Sequence, residues 1–390
     1  MLQVGKNKKI LFLTGTRADF GKLKSLIAAV ASSDKLEPNL FVTGMHMLSK
    51  YGMTRQEVLE AELCPSYAFI NQGSSDTMDV ILAKTISGLS DYVKEIQPDM
   101  IVVHGDRVEA LAGAIVGSLN NILVGHIEGG EVSGTIDELI RHAVTKLSHI
   151  HFVCNEEAKQ RLLQLGESSE SIFVIGSPDM DIMLSRELPT LDTAKKHYDV
   201  PYDEYAVVLY HPVTTEVGKL SEHVEQLVSA LVASGDNFIV IYPNNDHGTD
   251  IILGGYAELE GNSNFRIFPS IRFEYFLTLL KNAKYIVGNS SAGIREAPVY
   301  GVPTIDVGSR QHNRAFSPSI LNVAEDSCAI LDGIAKMEHR SFASQCSFGT
   351  GTSGDLFLSH LECQDVWQTS TQKVFVDRAG NVHQQVFLGL

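Results

Sequence analysis

The sequence predicts an α/β protein built from two Rossmann-like, doubly wound domains that face each other across a central cleft. Three observations carry that prediction. Short apolar, β-rich runs alternate with longer amphipathic stretches along the chain. Continuous apolar strands between helices imply parallel sheets covered on both faces. The runs fall into two series of similar size, and 390 residues exceed one compact core but suit two.

The first series is ILFLTG (10–15), LFVTG (40–44), MIVVHGD (100–106), ILVGHIEGG (122–130), HFVC (151–154) and IFVIGSP (172–178). The second is AVVLYHP (206–212), FIVIYPN (238–244), FRIFPS (265–270), YIVGNSS (285–291) and PTIDVG (303–308). A polar segment near 185–206 marks the boundary. The expected domains are therefore 1–185 and 186–365, with a tail, 366–390, packing back on the N-terminal domain.

In the first series, strand 10–15 runs into TRADFGKLKSLIAAV. Gly15 and Gly21 permit close backbone approach, and Arg17 opens a helix whose free N–H groups also favour anions. There is no GxGxxG, so the dinucleotide fingerprint of a dehydrogenase is absent. The stretch from His104 to His142 is the most informative part of the chain. It gathers Asp106, Arg107, Glu109, Glu128, Glu131, Asp137, Glu138 and Arg141 among glycines. Two of its clusters follow apolar strands. Acidic groups at the carboxyl ends of parallel strands sit where open α/β sheets bind ligands. Carboxylates sharing a crevice can be pushed to different pKa values, so that one acts as acid and another as base. Bland readings stand beside this. Asp137 suits a helix N-cap, and Glu138 with Arg141, three apart, reads as a surface helix pair. His149 and His151 resemble an HxH metal pair without a third ligand and read as packing or hydrogen bonding. Cys154 reads as a small core residue.

In the second series, the strand ending at Gly288 runs into GNSSAGIREAPVYGVP. Gly288, Ser290, Ser291 and Gly293 make a small, hydroxyl-bearing turn, and Ile294–Tyr300 reads as a short helix. Strand, Gly/Ser turn and helix N-terminus together form a phosphate cradle. Arg310 after the next strand is placed to clamp the same anion, and Glu296 to accept hydrogen bonds from ribose hydroxyls. His211 before Pro212 is a position often only structural. Phe273, Tyr275, Phe276, Leu279 and Leu280 show helical spacing and read as core.

Composition bounds the partners. A net charge of −16 argues against nucleic acid and anionic membrane surfaces. An anionic ligand then needs placed arginines or helix N-termini. The five cysteines contain no CxxC pair, which fits a reducing cytoplasm and no structural zinc. The N-terminus lacks a signal-peptide core, and no apolar run spans a bilayer.

In order, TGTRADFGKL, VTGMHMLSKYG, VHGDRVEAL, HIEGGEVSGTIDELIRHAVTKLSH, IGSPD, HPVTTE, PNND, GNSSAGIREAP, GVPTIDVGSRQ and WQTSTQKVF resemble the hydrolysing UDP-N-acetylglucosamine 2-epimerases, from about Lys9 to about Lys373. The resemblance implies the GT-B architecture, with the nucleotide held largely by the second domain. It also implies a reaction: UDP-N-acetylglucosamine loses UDP by elimination across C1 and C2, and water adds to the 2-acetamidoglucal with inversion at C2, releasing N-acetylmannosamine. It implies no cofactor, no metal, a UDP-sugar as the small-molecule partner, and a homodimer or homotetramer. By resemblance, Asp106, Glu128 and Asp137 match the acid/base carboxylates, and His211 stands beside the diphosphate. Arg17, Ser290, Ser291 and Arg310 match diphosphate contacts, Glu296 the ribose contact, and His46, Arg107, Glu131 and Asn244 sugar-side or cleft-lining positions. The sequence departs from many relatives at Asp306, Asn313 and His247, which leaves base and sugar open. A sister activity on a UDP- or GDP-linked 2,4-diacetamido-trideoxy sugar, a GT-B glycosyltransferase and a non-catalytic nucleotide-sugar sensor stand as alternatives.

Overall fold

The computed structural model describes residues 7–73, 76–133, 136–311 and 317–377; Asn313 lies outside them. The apolar runs form strands where both sheet faces are covered. Ile10, Leu11, Phe12 and Met100 to Val103 are all completely buried, as a central parallel strand requires. The first sheet contains β1 (Lys8–Thr14), β2 (Leu36–Val42), β3 (Ser66–Ala68), β4 (Met100–His104), β5 (Leu123–Ile127), β6 (Ile150–Val153) and β7 (Ile172–Val174). Their order is β3-β2-β1-β4-β5-β6-β7. The second contains β8 (Ala206–Leu209), β9 (Phe238–Ile241), β10 (Phe265–Phe268), β11 (Ile286–Gly288), β12 (Thr304–Val307) and β13 (Ile320–Val323), in the order β10-β9-β8-β11-β12-β13. Every pairing given for the two sheets is parallel. The edge strands β3 and β13 are additions to the sequence reading. Both are short and partly exposed, so neither carries the continuous apolar run of a central strand.

The strand order reverses between β1 and β4 in one sheet and between β8 and β11 in the other. Open α/β sheets form ligand crevices at such switch points. The motifs lie there: Arg17 and Asp106 follow β1 and β4, and His211 and Ser290 follow β8 and β11. Two glycines are sterically required. At Gly288, φ is +138° and an added Cβ would lie 2.2 Å from the Leu209 carbonyl oxygen. At Gly21, an added Cβ would lie 2.6 Å from Phe273 Cβ, where the helix Arg17–Ala31 meets the helix Phe273–Lys281 of the other domain. A side chain at Gly21 would push the domains apart.

The chain crosses between domains twice, and the crossings touch. Ser177 N–H donates to the Phe348 carbonyl (2.6 Å), and Ser353 Oγ–H donates to the Ser177 carbonyl (2.9 Å). The helix Ser353–Glu362 packs into the first core: Phe357 and Leu361 cluster there with Ile10, Phe12 and Phe152, joined by Val366 of the next helix, Gln364–Trp367. The return thus lies earlier than the expected boundary at 365. Among the described residues, no helix is long and apolar enough to cross a membrane.

Candidate active site

The acidic wall comes from the first domain. Beyond β4, Asp106 accepts a hydrogen bond from Arg141 Nη2. Arg141 is only 2% exposed, which corrects its reading as part of a surface pair. The helix Ile136–Leu147 turns that face inward, and Arg141 Nη1 also holds the Glu131 carbonyl (3.2 Å) and Ser133 Oγ (3.3 Å). Glu138 instead accepts the Ser133 N–H (2.7 Å). Asp137 lies in the first turn of this helix rather than at its cap. Its Oδ2 accepts Arg310 Nη2 across the cleft at 3.0 Å.

Glu128 follows β5 with φ +64°, a left-handed conformation uncommon outside glycine. Such strain persists where the surroundings over-determine it, and it clusters at functional sites. Here the surroundings are explicit. Glu128 Oε1 accepts Arg295 Nη2 at 2.5 Å and the Ser177 hydroxyl, while Oε2 stands 3.2 Å from His104 Nε2. The carboxylate is 7% exposed, against 26% for Asp106 and 21% for Asp137. Asp106 and Asp137 therefore open towards the cleft, and Glu128 lies one layer deeper.

Around Glu128 is a buried knot of charge. Arg295 donates through Nη1 to Glu131 Oε2 (2.6 Å) and through Nη2 to Ser177 Oγ (2.6 Å). It stands 3.5 Å from Asp179, and its guanidinium lies 4.7 Å from the centre of the Phe348 ring. Lys22 reaches Asp179 at 2.9 Å and Glu296 at 3.6 Å. Burial alone would raise the Glu128 carboxyl, but Arg295, Lys22 and His104 outweigh it and hold it well below the usual range. Asp179 is also lowered: burial opposes ionisation, but Lys22 and Arg295 outweigh it. Glu296 is raised, because burial dominates and the Asp179 charge adds to it despite Lys22. Glu296 and Glu131 are 4% and 5% exposed, so both face this knot rather than open space. Glu296 Oε2 has no hydrogen-bond partner.

The opposite wall comes from the second domain. The His211 N–H donates to Asn289 Oδ1 (2.7 Å), and Asn289 Nδ2 donates back to the His211 carbonyl (2.9 Å), bridging the ends of β8 and β11. The Asn244 N–H donates to His211 Nδ1 at 3.0 Å. An Nδ1 that accepts a hydrogen bond carries no proton, so the ring is neutral and its hydrogen sits on Nε2. Burial, then the charges of Arg310 and Arg107, keep the imidazole well below its ordinary pKa. Arg310 Nη1 also holds the Asn289 carbonyl (3.3 Å). Ser290 caps the turn Ser291–Gly293, accepting the Ala292 N–H. Asn244 Nδ2 donates to Asp246.

Other expected contacts are spent on bridging the domains. Arg17 donates to Ser270 Oγ (2.7 Å) and pairs with Glu57. Arg107 donates to Asn245 Oδ1 (2.6 Å) and lies 3.3 Å from Glu109. A cavity of about 470 Å³ opens beside Arg107, lined by Tyr51, Gln72, Asn245, Asp246 and His247 among others. His46 does not line the cleft. It is completely buried, its ring nitrogens 3.0 and 2.7 Å from Thr14 Oγ1 and Thr54 Oγ1, and burial lowers its pKa to about 4. His149 and His151 likewise make hydrogen bonds, to the Val124 N–H and to Glu167. Glu216, His223 and Glu325 bring their ligand atoms within 4.8 Å of one another, but each is engaged: Ser309 donates to Glu216, and Tyr210 and His223 contact Glu325.

A family described as UDP-N-acetylglucosamine 2-epimerase matches residues 28–362. A Neisseria meningitidis serogroup B protein named UDP-N-acetylglucosamine 2-epimerase is 49% identical over 95% of this chain and 99% of its own length. This chain belongs to the UDP-N-acetylglucosamine 2-epimerase family. A Legionella pneumophila relative named UDP-N,N'-diacetylbacillosamine 2-epimerase (hydrolyzing) is 34% identical over 84% of this chain and 88% of its own. Among solved structures, a Methanocaldococcus jannaschii UDP-GlcNAc 2-epimerase in complex with UDP-GlcNAc and UDP superposes with a TM-score of 0.77, at 23% identity over 91% of this chain and 99% of that one. This likeness supports the predicted two-domain α/β fold. In this epimerase family member, the structure brings Asp106, Glu128 and Asp137 to one side of a crevice and His211, Ser290 and Arg310 to the other. Arg295, Lys22, Ser177 and Asp179 were not singled out from sequence. All four lie inside motifs already quoted, TGTRADFGKL, IGSPD and GNSSAGIREAP.

Proposed function

We propose that this family member is a hydrolysing 2-epimerase that converts UDP-N-acetylglucosamine and water to N-acetylmannosamine and UDP, in nonulosonic (sialic-type) acid biosynthesis. One observation carries the reading: Asp137, beside Asp106 and the deeper Glu128 at the carboxyl ends of the first sheet, meets Arg310 across the switch-point crevice at 3.0 Å, where the buried His211 stands neutral. Elimination needs a base for the weakly acidic C2 proton, and hydration needs a proton returned to C2 from the other face and an activated water. Asp106, Glu128 and Asp137 supply those groups. Departure of UDP needs positive charge at the diphosphate, which we assign to Arg310 and the Ser290–Ser291 turn. Arg107 and Asn244 shape the sugar side, Glu131 holds Arg295 behind it, and His46 supports the loop.

The neutral His211 has a defined part. Its Nε2–H donates a hydrogen bond to the departing diphosphate without surrendering the proton, because its loss would leave an imidazolate. Neutral imidazoles serve as electrophiles in this way elsewhere.

The relatives support both halves of the proposal. The 49% relative carries the UDP-N-acetylglucosamine name, and those at 34% and 31% are named hydrolyzing. An Escherichia coli polysialic acid biosynthesis protein is 33% identical. Incubation with UDP-N-acetylglucosamine in heavy water, followed by NMR, should show UDP and N-acetylmannosamine appearing together, with deuterium at C2. Recovery of UDP-N-acetylmannosamine would overturn hydrolysis. Faster turnover of the nucleotide-linked diacetamido sugar would shift the substrate. Asp106→Asn should lower turnover by at least about a hundredfold, and a near-normal rate would remove Asp106 from the mechanism.

A further inference from the structure

We propose that Arg295 is a positioning residue that makes Glu128 competent for catalysis only while the nucleotide-holding domain is docked on the acidic one. The proposal rests on the reading of Glu128 as one of the reacting carboxylates. Arg295 belongs to the second domain, between β11 and β12, and Glu128 to the first, after β5. Their contact spans 167 residues of sequence at 2.5 Å, and Arg295 is 98% buried. The same guanidinium binds Ser177, whose hydroxyl also holds Glu128 Oε1. One oxygen of Glu128 is thus held by two donors, Arg295 of the second domain and Ser177 at the crossing. The other faces His104, at the mouth-side end of β4.

Arg295 cannot be doing the diphosphate's work in this arrangement. All its close charge contacts are carboxylates: Glu128, Glu131 and Asp179. A buried arginine among carboxylates fixes their orientation and keeps them ionised. Every element packed on Glu128 contributes a charged or titratable group: His104 from the end of β4, Lys22 from the first helix, Asp179 beyond the crossing, Glu131 from its own loop, Cys154 after β6, and Arg295. Arg295 is the nearest cation to the carboxylate and the one contributed by the other domain. If the domains separate, Glu128 keeps its burial partners from its own side but loses that charge. A carboxyl so deprived protonates more readily and loses the donor that fixes its orientation.

The test compares Arg295→Gln, Arg295→Lys, Ser177→Ala and Glu128→Gln in the full chain, measuring UDP affinity, thermal unfolding, and kcat and KM across pH. Arg295→Gln should bind UDP within about threefold of the parent, lose at least about a hundredfold in kcat near pH 7, and move the acid limb of kcat/KM upward by about one pH unit or more. Arg295→Lys should return the limb most of the way, and Ser177→Ala should move it less, in the same upward direction. A folded Arg295→Gln or Ser177→Ala whose limb stays in place, with rates lowered equally at every pH, would overturn the positioning role. Should Arg295→Gln not fold, Arg295→Lys and Ser177→Ala decide it by the same limb. Near-normal turnover in Glu128→Gln would sink the underlying assignment of Glu128 instead, whatever the arginine variants do.

Discussion

Arg295 and Arg310 leave the same domain and reach carboxylates of the other, but in opposite settings. Arg295 is 2% exposed and sits among Glu128, Glu131 and Asp179 under the Phe348 ring. Arg310 is 10% exposed at its side chain, and Asp137, which it meets, is 21% exposed. A buried cation cannot be withdrawn without stranding charge, so the first contact holds the domains together. A cation on the cleft wall can trade a carboxylate for a phosphate at small cost, so the second suits ligand exchange.

The largest effect that would test this contrast is on stability. Arg295→Gln should cost about 3–5 kcal/mol, since removing one partner of a buried pair leaves the others uncompensated, and calorimetry should show a melting temperature lower by roughly 5–15 °C. A fall within 2 °C or so would mean that Arg295 is solvated when its carboxylates are withdrawn. Arg310→Gln should lower the melting temperature less than Arg295→Gln does but weaken UDP binding by about tenfold or more. Titration at high salt should shrink that loss, because charges near the surface are screened. Equal loss at all salt concentrations would argue that Arg310 is sealed from solvent.

A third, smaller effect concerns Asp306, beside Arg310 at the end of β12. Burial pushes its carboxyl up to about 7, only partly offset by Arg310, and Oδ2 has no hydrogen-bond partner. A carboxyl raised in the folded state costs stability as pH rises from its unfolded value towards its folded one. Asp306→Asn should therefore stabilise the protein at pH 8 by on the order of 1–3 kcal/mol, with the gain fading towards pH 4. Melting curves at the two pH values check the sign, and a gain independent of pH would show an already ionised Asp306. The smallest effect is Ser270→Ala, which removes one hydrogen bond to Arg17 and should change stability by about 1 kcal/mol or less.

What was legible in sequence follows the range of the interactions. The strands with both faces buried announce themselves by unbroken apolar runs, and the carboxylates after β4 and β5 stand out because they follow such runs directly. Arg141 was misread because a three-residue spacing looks the same on a wet face and a buried one. Lys22, Asp179 and Arg295 could not be found by spacing at all. Arg295 meets its carboxylates across 164 and 167 residues, a pairing that exists only once two sheets and two crossings are in place. His46 came from resemblance alone, and resemblance places a residue in a loop without saying which way its ring turns.

The returning C-terminal segment governs how the chain is completed during synthesis. Phe357 seals the first core, its ring centre 6.3 Å from that of Phe12 and 4.7 Å from that of Phe152. The helix that carries it emerges after the whole second sheet. The first half of the protein, translated earliest, must therefore wait with an uncovered apolar face until the second has been made. The order of folding is inside-out relative to the order of translation, and a chain truncated before residue 353 would leave its oldest part unfinished.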